Sequence, residues 1–186
     1  MNEKEDVRSD PATRCPSTNR RRTPRNEDYS PYVVADTLPS LDLRVFQGGV
    51  VIDMSRFNEV TPAEDGKSIV VGFGARWMDV SRVNDQKGLA VLCGRNSAVG
   101  VGGLTLGGGP LDGPFQANAT PGGLSFLSPR YGLVCSNVIC DEIVLASGTI
   151  TTASATTNSD LWRPLKGGSN NFGVVTRFTF RCFPCG

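Results

Sequence analysis

The feature that most constrains this chain is a glycine-dense stretch from Cys93 to Gly132: CGRNSAVGVGGLTLGGG, a break of PLDGPFQANATP, and then GGLSFLSPRYG. Glycine admits positive φ and lets main-chain N–H groups come close to a ligand. Successive N–H groups pointing one way form an anion-binding nest, which holds a pyrophosphate without charged side chains. Leu89-Ala90-Val91-Leu92 reads as a short buried strand leading straight into the stretch. That context favours a loop cradling a dinucleotide phosphate over a plain glycine-rich surface loop. The spacing is not the Rossmann fingerprint. With GxGxxG started at Gly100, Gly102 is second but Thr105 stands third; started at Gly102, Leu104 stands second. The pattern GxGGxxxGGG asks for a different nucleotide-binding fold. Gly66-Lys67-Ser68 looks like the end of a P-loop, but Thr61 occupies the place of its first glycine and no helix is expected to follow.

Composition narrows the chemistry. A length of 186 residues suits about one domain, and a net charge of +1 gives no field to attract nucleic acid or an anionic membrane. No apolar run approaches the ~18 residues of a membrane helix. The N-terminal MNEKEDVRSDPATRCPS has no apolar signal-peptide core, so localisation stays open between a cytoplasmic protein, the default, and a secreted one. The sequence has no histidine. That removes Ser–His and Cys–His nucleophile pairs and the commonest general base and metal ligand. With reactive side chains so scarce, a bound cofactor is expected to carry the hard step. Cys182-x-x-Cys185 with Cys135 and Cys140 makes a poor zinc pattern; no metal is expected, and Cys93, Cys135 and Cys140 suit core packing.

The order of elements predicts an α+β fold. Residues 1–40 are rich in charge, proline and serine and read as a disordered tail, its Arg20–Arg22 run solvated. Gly49–Met54 and Ser68–Val71 read as strands, joined by a turn-rich connection over Thr61–Gly66. Trp77, Val80 and Val83 give an apolar face to a helix over Ala75–Gln86, closed by Gly88. Trp77 belongs to the core. Residues 110–121 form an exposed insertion. Val138–Leu145 and Thr149–Ala153 form a hairpin. Ser159 is the candidate cap of a short helix at Asp160–Trp162, cut by Pro164. Gly173–Phe180 is the last strand, with Val174, Thr176, Phe178 and Phe180 on one face, and residues 183–186 form a tail.

The blocks GGVVIDMSRFNEV, VGFGARWMDV, VGVGGLTLGGG, GLSFLSPRYG, EIVLASG and LKGGSNNFGVVTRF, in that order, carry a further signal. Together they resemble the FAD-binding, PCMH-type domain of FAD-linked oxidases in the vanillyl-alcohol-oxidase superfamily, and within it the berberine-bridge-enzyme-like branch. The resemblance implies extended FAD. The pyrophosphate would lie on the loop at Val99, Gly100, Gly102, Gly103, Thr105, Gly108 and Gly109. Main-chain contacts would come from Gly173 to Val175. It also implies oxidation of a small organic substrate by hydride transfer to the flavin, with electrons passed to oxygen.

The departures from the family pattern also shape the expectation. Leu41–Gln47 stands where the family carries the histidine that attaches FAD, and Asn96 stands at the position of the second, cysteinyl attachment. FAD is therefore expected to bind non-covalently. The domain spans residues 41–182, is short at its N-terminal subdomain and lacks the substrate domain, with its bases. A truncated gene product is thus expected, either as a weak FAD-binding module without turnover or as part of an oxidoreductase. Arg130 and Tyr131 either approach the cofactor or cap the next element. Lys166 either meets a phosphate or is solvated.

Overall fold

The computed structural model describes residues 31–34, 50–108, 122–169 and 171–185. The expected insertion at 110–121, Gly109, and the residues 41–49 that open the expected domain lie outside them. Strands β1 (Pro31–Val34) and β2 (Val50–Asp53) pair in parallel as a separate ribbon. The first of these lies inside the stretch read as a disordered tail, so that reading does not hold for residues 31–34. Pro-Tyr-Val-Val is a short β-prone run, and its partner Val-Val-Ile-Asp is another.

The main sheet comprises β3 (Val60–Pro62), β4 (Ser68–Gly72), β5 (Leu89–Val91), β6 (Val138–Val144), β7 (Ile150–Ser154) and β8 (Val174–Pro184). Its order is β3-β4-β8-β6-β7, with β5 paired to the far end of β8, and every one of these pairings is antiparallel. Helix α1 (Trp77–Asp85) packs on β3 and β5, α2 (Val101–Gly107) on β4, and α4 (Ser159–Leu165) on β7. A single turn, α3 (Ser128–Tyr131), precedes a 3-10 turn at Cys135–Asn137. The α+β expectation therefore stands, and β6 and β7 form the expected hairpin.

The core lies between the helices and one face of the sheet. Phe178 and Phe180 on β8, Ile69 and Val71 on β4, and Trp77 and Val80 on α1 are fully buried there. Trp77 meets Phe180 edge-on at 5.7 Å between ring centroids, so it belongs to the core as expected. Gly88 closes α1 with φ of 63°.

Several boundaries differ from expectation. The connection over Thr61–Gly66 begins as strand. Pro62 is tolerated because β3 is an edge strand, where its missing N–H deprives no partner. The last strand runs on to Pro184, through residues read as a tail, because Leu89–Val91 pairs with Cys182–Pro184. Pro164 does not cut α4. It falls in the last turn of a helix capped by Asn158, not by Ser159, and Asn158 takes a left-handed conformation. The alternation expected on β8 is broken by a bulge. Glu142 faces Arg177 and Ile143 faces Val175, so Thr176 is the extra residue. Val175 and Thr176 are consequently both buried, while Val174 is only half-buried.

Candidate functional site

The glycine stretch is half helix. Gly100 precedes the first turn of α2, and Gly102, Gly103 and Thr105 lie within it. Glycine is a poor helix former in isolation, so the reason for the helix is tertiary. A Cβ on Gly102 would fall 2.5 Å from the Phe73 ring. Only glycine lets α2 come this close to the turn after β4. Gly103, by contrast, faces open space, with nothing within 4 Å of a Cβ built there.

Main-chain bonds stitch this segment to residues 73–78. Val101 and Gly102 donate to the carbonyls of Ala75 and Phe73 at 2.9 and 3.1 Å. Trp77 and Met78, at the start of α1, donate to the carbonyls of Val99 and Ser97 at 3.1 and 2.9 Å. Thr105 turns its hydroxyl back onto the Val101 carbonyl at 2.7 Å. The N–H groups of Val101 and Gly102 are thus committed within the protein, which departs from a loop whose consecutive N–H groups all face an anion. What remains open beside them is the Gly103 face and the exposed turn Arg95–Ser97.

The second expected contact segment lies close by. Phe73 donates to the Thr176 carbonyl at 2.9 Å, so one residue joins β8 to α2. Gly173 has φ of 149°, and a Cβ there would stand 2.5 Å from the Val144 carbonyl. The structure therefore brings Gly100–Gly103 and Gly173–Thr176 to the same end of the sheet. Gly108 lies further along, where α2 ends with φ of 89°.

Other candidates are placed elsewhere. The Tyr131 ring stacks on Phe183 at 4.1 Å, with the Arg130 guanidinium 5.1 Å from the Tyr131 ring centre. Lys166 is not left to solvent. Its Nζ donates to the carbonyls of Cys135 and Val138 at 2.7 and 3.1 Å and lies 4.0 Å from the Trp162 ring centre. Burial pushes Lys166 below the usual lysine range. Asp141 is buried nearby, and burial raises it to about 7, with the charge of Lys166 offsetting only part of the rise. Cys135 is buried in the 3-10 turn, with its thiol raised by burial. Among the described residues no group of three or more Cys, Asp or Glu is placed to hold a metal.

Sequence reasoning missed the residues that set the geometry of this region. Phe73 is the hub, and no pattern singles out one phenylalanine. The partial signal was Gly72-Phe73-Gly74, because glycines flanking an aromatic mark a tight approach.

The profile of the FAD binding domain family matches residues 35–154. The chain belongs to this FAD-binding domain family. It is 42% identical over 133 residues to an uncharacterized FAD-linked oxidoreductase of Arthroderma benhamiae, a match covering 72% of this chain and 24% of that protein. It is 43% identical over 136 residues to an FAD-dependent monooxygenase of Penicillium roqueforti, covering 73% and 24%. Among solved structures, 6-hydroxy-D-nicotine oxidase from Arthrobacter nicotinovorans is similar with a TM-score of 0.64 at 28% identity, covering 74% of this chain and 27% of that one. Xylooligosaccharide oxidase from Myceliophthora thermophila has a TM-score of 0.61 at 34% identity, covering 73% and 26%. A berberine-bridge-enzyme-like protein of Physcomitrella patens has a TM-score of 0.61 at 33% identity, covering 73% and 27%. The resemblance to the berberine-bridge-enzyme-like branch therefore holds, and with it the PCMH-type FAD-binding fold. The chain spans about a quarter of the length of the curated relatives it matches, 24% of the first of them. No described helix is long and apolar enough to cross a membrane.

Proposed function

We propose that this chain is the cofactor-holding part of an FAD-dependent oxidoreductase acting on a small organic molecule, with FAD bound non-covalently. The observation that carries the reading is the meeting of two segments at one sheet end. The N-terminal turn of α2 and the Gly173–Thr176 segment are tied together through Phe73. FAD, when bound, supplies acceptance of a hydride from an organic substrate, with reoxidation by oxygen.

This chain's part is to hold and orient. The residues fit such a group in a modified way. Gly103 and the exposed turn Arg95–Ser97 leave room for a pyrophosphate. Gly102 and the N–H groups of Val101 and Gly102 instead hold the turn rigid. Gly173 and Val175 would add main-chain contacts along the cofactor. Side-chain chemistry supports non-covalent binding. A related glucooligosaccharide oxidase of Acremonium strictum carries 6-S-cysteinyl, 8α-N1-histidyl FAD. The present sequence has no histidine to make the second link, and Asn96 has no thiol to make the first.

The commitment of the Val101 and Gly102 N–H groups within the protein favours a second reading, a module that holds FAD weakly or not at all and turns nothing over. The visible absorption spectrum of the purified chain, with FAD added if it is colourless, tests both. Flavin absorbance that passes into the supernatant on acid precipitation is the expected result. Flavin that stays with the precipitated protein would show covalent attachment. No uptake at all would remove the FAD reading from this chain.

A further inference from the structure

Arg177 on β8 reaches two carboxylates that belong to different parts of the sheet. Its Nε bonds Glu59, just before β3, and its Nη1 bonds Glu142 on β6 at 2.7 Å. These hydrogen bonds and charges raise Arg177 above the usual arginine value. The reach toward Glu59 crosses β4. There Arg177 faces Gly72, and a Cβ on Gly72 would fall 2.2 Å from the Phe57 carbonyl and 2.9 Å from Glu59 Oε2. A bare glycine on the intervening strand leaves the passage open. The guanidinium is a rigid fork that can serve two acceptors at once, whereas an ammonium is a point charge.

Glu142 Oε1 also accepts the Thr176 hydroxyl. Thr176 is the extra residue of the β8 bulge, and its carbonyl accepts the Phe73 N–H, while the Phe73 carbonyl accepts the Gly102 N–H. An unbroken series of polar contacts therefore runs from Glu59 through Arg177, Glu142, Thr176 and Phe73 to α2. Bulges re-aim a strand locally, and this one is gripped from both sides.

We propose that Arg177 is a positioning residue of the FAD site: by joining Glu59 and Glu142 it sets how Gly173–Thr176 stands against the N-terminal turn of α2. This rests on the FAD reading above. Arg177 touches no cofactor in the proposal and acts only through the bulge. Its loss would leave the sheet paired but let the two contact segments shift relative to each other.

The test uses the full chain, with Arg177→Met and Arg177→Lys beside the unsubstituted protein. FAD is titrated by flavin fluorescence, visible circular dichroism is recorded on the bound flavin, and melting of the apo form is followed. We expect Arg177→Met to weaken FAD about tenfold, within the coupling range of networked side chains, and to change the flavin dichroism. Arg177→Lys keeps the charge without the fork and is expected to weaken FAD by about threefold with little change in melting. If Arg177→Met does not fold, Arg177→Lys carries the test. Unchanged FAD affinity and dichroism in a folded variant, even with a lowered melting temperature, would overturn the positioning role and leave the FAD reading intact. Failure of the unsubstituted chain to bind FAD would overturn both.

Discussion

Asp141 and Glu142 are consecutive acids on β6 that meet opposite fates. Asp141 points into the core beside Phe178 and Ala153, its pairing partners on β8 and β7, and is buried there. Glu142 points to the other face, half-exposed, and bonds Arg177 and Thr176. The alternation of a strand is enough to send neighbouring carboxylates into different solvents. The lesson is that charge on this sheet is tolerated where a cation reaches it. Where burial outweighs the nearest cation, the carboxylate is driven toward its neutral form.

The largest effect is expected on the buried face. Phe178→Ala would empty the position beside Asp141 and should cost about 3–5 kcal/mol, as large-to-small changes of buried aromatics do. Denaturant unfolding would read it. Water admitted by the cavity should also bring Asp141 back toward the ordinary carboxylate value of 3.8.

A smaller effect is expected from Asp141→Asn, with a definite sign. The folded-state value of Asp141, about 7, lies above its ordinary 3.8. The neutral acid therefore contributes stability that is fully present below pH 3.8 and is lost as pH rises through 7. Three units at about 1.4 kcal/mol each set an upper bound of roughly 4 kcal/mol on that loss. Asparagine removes the charge, so the variant should gain on the parent by roughly 2–4 kcal/mol at pH 8, and the gap should close toward pH 4. Equal pH dependence in both proteins would show that Asp141 is ionised without penalty.

The smallest effect belongs to the outer face. Glu142→Gln should cost under about 1 kcal/mol of stability, because a half-exposed ion pair is weakened by solvent and salt. Chemical unfolding at low and high salt would test it, with the difference from the parent shrinking as salt rises. A loss as large as that from Phe178→Ala would mean that the outer face is energetically core.

Much of this fold was legible in the sequence. The Trp77-Val80 face, the hairpin of Val138–Leu145 with Thr149–Ala153 and the β-branched runs each obey a local rule, and each became the expected element. What was not legible depended on contacts far along the chain. Gly100–Gly107 carries no helical signal, since its glycines lower helix propensity. It becomes α2 because Phe73 and Ala75 accept its first N–H groups. Pro62 fell in a connection read as turn and Pro164 was read as a break, yet an edge strand and a last turn tolerate them. The bulge at Thr176 is invisible to a period of two, because it comes from the partner strand's register. For the site, the two segments came from the resemblance, and the structure ties them together through Phe73. That Gly102 serves Phe73, while Gly103 faces outward, needed coordinates.

Strand β8 pairs with β4, β5 and β6, all made earlier, and it is the last of the described strands in the chain. During synthesis the sheet therefore waits for its centre. At about 5–20 residues per second, several seconds separate the emergence of β5 from that of β8. Through that interval β4 lacks the neighbour that covers Ile69 and Val71, and β6, once made, lacks the one that covers Ile143. The nascent chain thus shows sticky, unpaired strand edges to whatever surrounds the ribosome. A yield that rises with slower growth or added chaperone would be the cellular trace of a sheet that can close only from its middle.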